Sequence, residues 1–389
     1  MSDDVAPDQR TAMENFVKEY EDTTTDKLNF QFMDIRKDQA ELREDDDYSC
    51  TVGQKPGNFL RNRKLAADNS NRVTIDPTPE NQDGYINASH IKYPETSTVY
   101  IASQAPLPET VVDFWHMICQ YKVQVVVMLC KCVESFAPKC EQYWPKAEGE
   151  SKAFGDYTVT FVKEDSYNEF SHRTLSVKSE KYGEFEVEQL HYTEWPDHGC
   201  PQGEKQVLQL IEQMNSLRAS DSPILLHCSA GCGRTGTVIA LNIIRELINK
   251  KVGSKVVAKK ISEINVKKLV LDLRKQRTSM VQTQGQYHLL HKCVAVYCKM
   301  ALGIDTETKS PGSSPESVKS LPQSQPSPDV LKTLPLVSPK PTNPFSSAEK
   351  PTLTINTSNG SSNETLRSTN PFLEDVANDE LVCPSTSSP

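Results

Sequence analysis

A glycine-rich turn between two apolar segments constrains the fold of this chain more than any other feature. The segment before the turn, Pro223-Ile224-Leu225-Leu226, predicts a buried strand, and Val238 to Asn249 predicts an amphipathic helix. The turn reads His227-Cys228-Ser229-Ala230-Gly231-Cys232-Gly233-Arg234-Thr235-Gly236. Because a helix follows the loop, unpaired backbone N–H groups and the helix dipole are expected to face the loop interior. The loop therefore predicts a phosphate-sized anion site, formed by Ser229, Ala230, Gly231, Cys232 and Gly233.

Three side chains of this loop predict nucleophilic chemistry on a bound phosphate. Cys228 lies in the positive field of the loop, where a cysteine is expected to be a thiolate and a nucleophile. Arg234 carries a planar guanidinium that can bind two phosphate oxygens and stabilise the transition state. Thr235 offers a hydroxyl that can donate a hydrogen bond to the thiolate. Since the loop supplies the positive charge itself, we expect no metal and no cofactor.

The loop resembles the signature of the protein tyrosine phosphatases, of the tyrosine-specific, cysteine-based, non-receptor type. Other segments match motifs of that family in the same order, and we assign them packing roles: Tyr85 to Ser89, Tyr100 to Pro106 and Thr110 to Trp115. The resemblance implies an α/β (α+β) fold, a twisted mixed sheet flanked by helices. The alternation of strand-like and helix-like segments from about Phe30 to Met300 agrees with that fold. The implied activity is hydrolysis of phosphotyrosine in proteins through a cysteinyl-phosphate intermediate.

Two further loops carry residues with roles that the resemblance implies. The segment Trp195-Pro196-Asp197-His198-Gly199 is similar to the mobile acid loop of the family. Asp197 would protonate the leaving tyrosyl oxygen and later accept a proton from the attacking water. The segment Val281 to Tyr287 is similar to the glutamine loop, in which Gln282 would position the hydrolytic water and Gln286 would assist.

Supporting residues are implied by the same resemblance. The family pairs a glutamate with the catalytic arginine, which here predicts that Glu134 orients Arg234. The matching lysine, Lys139, would contact the acid loop. Trp195 and His227 are predicted to be supporting residues that do not contact the substrate themselves.

The chain departs from the family pattern in the loop that recognises phosphotyrosine. The family has Asn-Arg-Tyr there, and this chain reads Arg61-Asn62-Arg63-Lys64, with the following segment to Arg72 about two residues short. Lys64 stands where the stacking tyrosine would be, so we predict that it contacts the substrate through its stem. Asp68 is a candidate replacement for the aspartate that binds the substrate backbone. We expect weaker or broader selectivity, with a preference for acidic neighbours.

Cysteine usage and charge limit the class of protein. Eleven cysteines at irregular spacing, with no signal peptide or membrane-length apolar run, predict free thiols and a cytoplasmic protein. Cys232 could be a resolving thiol for Cys228, although a small buried residue is the favoured interpretation. The group Cys130, Cys132 and Cys140 could bind zinc, which we disfavour because no histidine follows nearby. A net charge of −9 argues against nucleic-acid binding.

Composition divides the chain into three predicted parts. Residues 1–25 form an acidic N-terminal extension with a short helix over 12–20, and residues 26–302 form the catalytic domain. Residues 303–389 contain 13 of the 25 prolines and are expected to be disordered. This tail contains Asn343-Pro344-Phe345 and Asn370-Pro371-Phe372, which resemble ligands of endocytic EH domains. Five Ser-Pro pairs predict sites for proline-directed kinases.

Two other functions remain open at this stage. A protein with this fold could bind phosphotyrosine while turning it over poorly, which the lost recognition tyrosine favours. It could also hydrolyse phosphoinositides or other non-tyrosine phosphoesters. The complete set of Cys228, Arg234, Asp197 and Gln282 argues against the first alternative, and the uncharged loop interior argues against the second.

Overall fold

In this computed structural model, the described residues are 7–43, 49–167, 170–196, 199–201, 203–219, 221–249 and 263–304. The helices within them are α1 (Pro7–Glu21), α2 (Thr25–Arg43), α3 (Val111–Gln120), α4 (Glu204–Leu217), α5 (Gly233–Asn249), α6 (Val266–Gln276) and α7 (Gln284–Leu302). The strands are β1 (Arg72–Thr74), β2 (Tyr85–Ile91), β3 (Tyr100–Ser103), β4 (Val125–Met128), β5 (Val133–Glu134), β6 (Ala137–Pro138), β7 (Ser151–Phe154), β8 (Tyr157–Ser166), β9 (Phe170–Ser179), β10 (Gly183–Tyr192) and β11 (Ile224–His227).

Nine of these described strands form one mixed sheet in the order β1-β2-β3-β11-β4-β10-β9-β8-β7, and β5 and β6 form a separate hairpin. The middle of the sheet is parallel: β11 pairs with β3 and β4, and β10 pairs with β4. The outer strands pair antiparallel. All four residues of β11 are buried, as expected for a strand covered on both faces. The predicted mixed sheet with flanking helices is confirmed.

Successive residues of a strand point to opposite faces of the sheet, and helices pack against both faces. Val125 and Val127 of β4 belong to a core shared with α4 to α7, whereas Val126 and Met128 belong to a second core that includes α3. Helix α4 has the bounds of a segment whose apolar residues recur at helical spacing, and Val207, Leu208, Ile211 and Met214 are buried. The helix predicted from Val238 begins five residues earlier, at Gly233, so that Arg234 lies in its first turn.

The N-terminal helix is longer and more buried than the sequence predicted. It spans Pro7–Glu21, and Met13, Phe16 and Val17 are buried in the core that contains α7. The Phe16 ring stacks on His291 of α7 with ring centroids 6.1 Å apart. Residues set apart as an extension therefore contribute to the core of the domain.

Some predicted features lie outside the described residues, including both Asn-Pro-Phe motifs and the Ser-Pro pairs. Among the helices that are described, none combines the length and apolarity needed to cross a bilayer.

Candidate active site

The predicted site residues follow the carboxyl ends of the parallel strands. Strand β11 leads into Cys228, β4 into Leu129, β3 into Gln104 and β10 towards Trp195. Because β3, β11, β4 and β10 run parallel and are neighbours, these four segments meet at one edge of the sheet. Ligands of such sheets bind at this edge. The fold therefore brings the predicted loop and its supporting segments together.

The carbonyl groups of the 228–233 loop are held from outside. Ser229 accepts a hydrogen bond from the Ala105 N–H (3.0 Å), and Cys232 accepts one from the Gly236 N–H (2.8 Å). Arg277 donates from Nε to the Gly231 carbonyl (2.8 Å) and from Nη2 to the Ala230 carbonyl (3.1 Å). In a trans peptide the N–H points opposite to the C=O. The N–H groups of residues 230–233 therefore turn to the other side, as an anion site requires.

Two positions of the loop require glycine because neighbouring segments leave no room for a Cβ atom. Gly231 has a φ of +72°, and a Cβ there would overlap the backbone carbonyl of Ser103. A Cβ on Gly233 would lie 2.7 Å from Gln286 Oε1 and 3.1 Å from Gln282 Cβ. The phosphate-binding loop is therefore packed directly against β3 on one side and the glutamine loop on the other.

Cys228 lies at the start of the loop, 6% exposed, behind a fully buried histidine. His227 Nε2 shares a hydrogen bond with Tyr143 Oη (2.9 Å), and Nδ1 lies 3.3 Å from the Cys228 carbonyl. Burial lowers the pKa of His227 to about 3, so this ring is neutral at pH 7. The neutral ring fixes the backbone that carries the nucleophile, which agrees with the predicted supporting position of His227.

The hydroxyl of Thr235 does not form the bond predicted for it in this structure. Thr235 Oγ1 is buried and has no hydrogen-bond partner among the described residues. Leaving a buried hydroxyl without a partner costs about 1–3 kcal/mol. Thr235 follows Arg234 in the first turn of α5, and its hydroxyl is available to donate a hydrogen bond.

Arg234 is fixed by a bidentate ion pair with Glu134. The Nη1–Oε1 distance is 2.6 Å and the Nη2–Oε2 distance is 2.9 Å, and Nη1 also donates to the Leu129 carbonyl (2.9 Å). The two side chains are 8% and 6% exposed. Burial alone would lower the pKa of Arg234, but the bonds to Glu134 outweigh it and the pKa is raised. The predicted pairing is therefore present, with the guanidinium plane set by the carboxylate.

The glutamine loop is ordered by a helix cap. Thr283 begins α7 with a capping box in which its side chain accepts from the Gln286 N–H. Gln286 Oε1 accepts from the N–H groups of Gln282 (2.8 Å) and Thr283 (3.3 Å). Gln282 is exposed, whereas Gln286 is 5% exposed. Gln286 Oε1 therefore holds the backbone that presents Gln282, and the role of Gln286 toward the substrate stays a prediction.

The acid loop is described on both sides of Asp197, which itself lies outside the described residues with His198. Trp195 is 2% exposed, and its Nε1 donates to the Gly199 carbonyl (3.0 Å). This bond joins the two ends of the loop. Lys139 is half-buried and its backbone N–H donates to the Cys132 carbonyl (2.8 Å), so its predicted contact with the acid loop stays a prediction.

Comparison with known proteins agrees with this geometry. A sequence profile described as protein-tyrosine phosphatase matches residues 58–296, more than half of the chain. The chain belongs to the protein-tyrosine phosphatase family. Tyrosine-protein phosphatase non-receptor type 18 of Mus musculus is 36% identical over 271 residues, which are 68% of this chain and 58% of that protein. Phosphatidylinositol phosphatase PTPRQ of Homo sapiens is 35% identical over 254 residues, 64% of this chain and 10% of that protein.

Solved structures support the same assignment within the phosphatase family. A structure of PTPN18 in complex with HER2 phosphopeptides matches with a TM-score of 0.67 and 31% identity, covering 74% of this chain and 99% of that one. The predicted resemblance to non-receptor tyrosine phosphatases is thereby confirmed. The chain spans less than two thirds of the length of the curated relatives named above.

The recognition loop of this family member is built differently from the sequence prediction. Asn62 caps a short 3-10 helix, Arg63–Leu65, by accepting from the Lys64 N–H (2.9 Å), and the Lys64 side chain is exposed. Asp68 was a candidate for binding the substrate backbone, but it is 3% exposed. Its carboxylate accepts from the backbone N–H groups of Ser49 and Ser70, both at 2.8 Å. Asp68 therefore stabilises the loop from within.

Two arginines at this site were not predicted. Arg61 donates to the carbonyls of Ala105 (2.9 Å) and Pro106 (2.7 Å) and ties the recognition loop to the segment that follows β3. Arg277, 1% exposed, holds the phosphate-binding loop and also donates to Asn87 and Ser89 of β2. A charged residue in a helical segment is expected at the surface. Arg277 directly follows α6, which contains three lysines and one arginine, so its sequence context is that of a surface cation.

Cys232 is a packing residue in this structure. It is fully buried, and its thiol donates to the Ala230 carbonyl at 3.5 Å. Burial raises the pKa of the Cys232 thiol, which makes it a weak nucleophile. These observations favour the small buried residue over the resolving thiol.

Proposed function

We propose that this protein hydrolyses phosphotyrosine in other proteins by a two-step mechanism that needs no metal. The observation that carries the proposal is the Arg234–Glu134 pair beside the loop that begins at Cys228, at the carboxyl ends of four parallel strands. A guanidinium fixed in this way can bind two oxygens of a phosphate dianion. The loop N–H groups supply the remaining hydrogen bonds.

In the first step, the Cys228 thiolate attacks phosphorus while the bond between phosphorus and the tyrosyl oxygen breaks. Asp197 gives its proton to the leaving oxygen. Arg234 and the loop N–H groups stabilise the charge on the equatorial oxygens. We assign stabilisation of the sulfur to the Thr235 hydroxyl, which has no partner among the described residues.

In the second step, water attacks the phosphocysteine and the sulfur leaves as thiolate. Gln282, held by the capping box of α7, orients the water, and Asp197 accepts its proton. Inorganic phosphate is then released from the loop. The position of Asp197 five residues after the end of β10 supports this role, because β10 ends at the same edge as β11.

The substrates that we propose are phosphotyrosine proteins, including peptides with acidic residues beside the phosphotyrosine. The similarity to PTPN18, solved with HER2 phosphopeptides, supports the phosphotyrosine class. The exposed Lys64 and Arg63 of the recognition loop support the acidic preference. The non-receptor relatives support a cytoplasmic location.

The partners proposed for the tail rest on its sequence alone. The two Asn-Pro-Phe motifs would bind EH domains, and the Ser-Pro pairs would be phosphorylated by proline-directed kinases. Replacing Phe345 and Phe372 by Ala should abolish binding of an isolated EH domain measured by calorimetry, and retained binding would exclude these motifs.

Steady-state hydrolysis by the full chain tests the function. We expect turnover of a phosphotyrosine peptide that disappears in Cys228→Ser, with little turnover of the matched phosphoserine peptide. Tight peptide binding without turnover would favour the binding protein. Faster release of phosphate from phosphoinositide vesicles than from the peptide would favour a lipid phosphatase, the activity named for the relative PTPRQ.

A further inference from the structure

Three cysteines lie together beside the active site and have no part in the proposed mechanism. Cys130 follows β4, Cys132 precedes β5 and Cys140 follows β6, so they surround the base of the β5–β6 hairpin. Cys130 and Cys140 are buried, at 1% and 5% exposure, and Cys132 is half-buried. All three are free thiols.

Cys132 and Cys140 are close enough for a covalent link. The Cys140 N–H donates to the Cys132 carbonyl at 3.2 Å, across the base of the hairpin. Residues joined by such a bond have Cα atoms roughly 5–6 Å apart, within the range that a disulfide spans. The Lys139 N–H donates to the same carbonyl at 2.8 Å, so Lys139 and Cys140 both lie opposite Cys132, as two residues do in a β-bulge.

The chemistry of the cluster favours oxidation over metal binding. Within the described ranges, no group of three or more His, Cys, Asp or Glu side chains is arranged to hold a metal. The neighbouring Cys140 side chain lowers the pKa of Cys132, and burial raises the pKa of Cys140 well above its usual value. Cys132 is therefore both the more nucleophilic of the two thiols and the more accessible one.

We propose that Cys132 and Cys140 form a reversible disulfide when the protein meets hydrogen peroxide, and that this disulfide weakens phosphate binding. The Cys132 thiolate attacks one peroxide oxygen, the O–O bond breaks, and sulfenic acid and hydroxide form. The Cys140 sulfur then attacks the Cys132 sulfur. Its proton combines with the departing hydroxide to give water, so one peroxide is reduced for two thiols oxidised.

The disulfide would act on phosphate binding through Glu134. The two sulfur atoms must approach to about 2.05 Å to form the bond, which draws the base of the hairpin together. Glu134 is two residues from Cys132, and its Oε1 accepts from both the Lys131 N–H (3.0 Å) and Arg234 Nη1. Movement of this short segment would misalign the carboxylate that orients Arg234. This consequence rests on the proposed function, whereas disulfide formation does not.

Peptide mapping of the full-length Cys228→Ser variant tests disulfide formation without interference from the nucleophile. Trypsin cuts after Lys131, Lys139 and Lys146, so Cys130, Cys132 and Cys140 fall in three different peptides. After peroxide treatment and alkylation, we expect peptides 132–139 and 140–146 to be joined, and dithiothreitol to separate them. The link should persist in a Cys130→Ser background and be lost with Cys132→Ser.

Binding of a phosphotyrosine peptide to the same samples, followed by fluorescence anisotropy, tests the consequence. We expect the dissociation constant to rise at least about tenfold on oxidation and to recover with dithiothreitol. The Cys132→Ser background should show no rise. Absence of the joined peptides, or joined peptides with unchanged affinity, would overturn the inference. Failure of the reduced protein to bind the peptide would count against the proposed function instead.

Discussion

The Arg234 guanidinium is held in place by the buried carboxylate of Glu134. Glu134 and Arg234 are both under 10% exposed. Burying each charge costs free energy, and the attraction between the two opposite charges offsets that cost. Removing either partner leaves the other charge buried and alone. The same pair therefore links phosphate binding to the stability of the domain.

We predict that Glu134→Gln lowers both activity and stability. The neutral amide cannot balance the Arg234 charge, so the free energy of unfolding should fall by about 3–5 kcal/mol and kcat/KM by about 100-fold. Urea unfolding and peptide hydrolysis measure the two effects. Asp34→Asn, which breaks an exposed pair with Lys267, should change stability by less than about 1 kcal/mol. Equal effects of the two substitutions would contradict the role of Glu134.

Lys64 is predicted to set a preference for acidic peptides. An exposed ion pair contributes about 0.5–1 kcal/mol, so Lys64→Glu should lower kcat/KM two- to fivefold for a peptide with Asp or Glu beside the phosphotyrosine. A peptide with neutral neighbours should change little. Lys37→Glu, on α2, makes the same change in net charge and serves as the control. If Lys64→Glu and Lys37→Glu had the same effect, Lys64 would have no part in selectivity.

At the scale of elements, helix α1 joins the domain through a buried apolar face. Met13 is fully buried against the core that contains α7, while neighbouring positions such as Asn15 are exposed. We predict that Met13→Ala lowers the free energy of unfolding by about 2–5 kcal/mol. Asn15→Ala should change it by less than about 0.5 kcal/mol. A small effect of Met13→Ala in urea unfolding would mean that α1 is a dispensable extension.

The elements show what the sequence could and could not predict. Strand β11 and helix α4 were predictable because an unbroken apolar run and a 3.6-residue pattern carry their own signal. Strand β9 was missed, since its residues mix buried and polar positions without clean alternation. The parallel order β3-β11-β4-β10, which gathers the site, depends on pairing between distant segments and has no local signal. Glu134 was found only through resemblance, and Arg277 was not found at all.

At the scale of the whole molecule, buried histidines make the fold sensitive to acid. Burial lowers the pKa of His227 to about 3 and those of His191 and His291 to about 4, from 6.5 in an exposed chain. Between about pH 4 and pH 6.5, these histidines are protonated in the unfolded chain and neutral in the folded protein. Stability therefore falls as the pH falls below about 6.5.

We predict a lower free energy of unfolding at pH 5 than at pH 7, with each of these histidines contributing about 1–2 kcal/mol to the difference. His291 lies in α7, where it packs on Phe16. His291→Gln should shrink the difference between the two pH values. Urea unfolding at both pH values measures it, and equal stability at pH 5 and pH 7 would show that these rings are not held neutral.

The covalent step is the centre of the proposed mechanism, and rapid quench of a single turnover tests it most directly. The full-length Gln282→Ala variant, mixed with a phosphotyrosine peptide labelled in its phosphate, should accumulate label on the protein. Peptide mapping should place this label on Cys228, in up to one equivalent, and the Cys228→Ser variant should carry none. Release of phosphate with no labelled protein at any time, or label on another residue, would contradict the account.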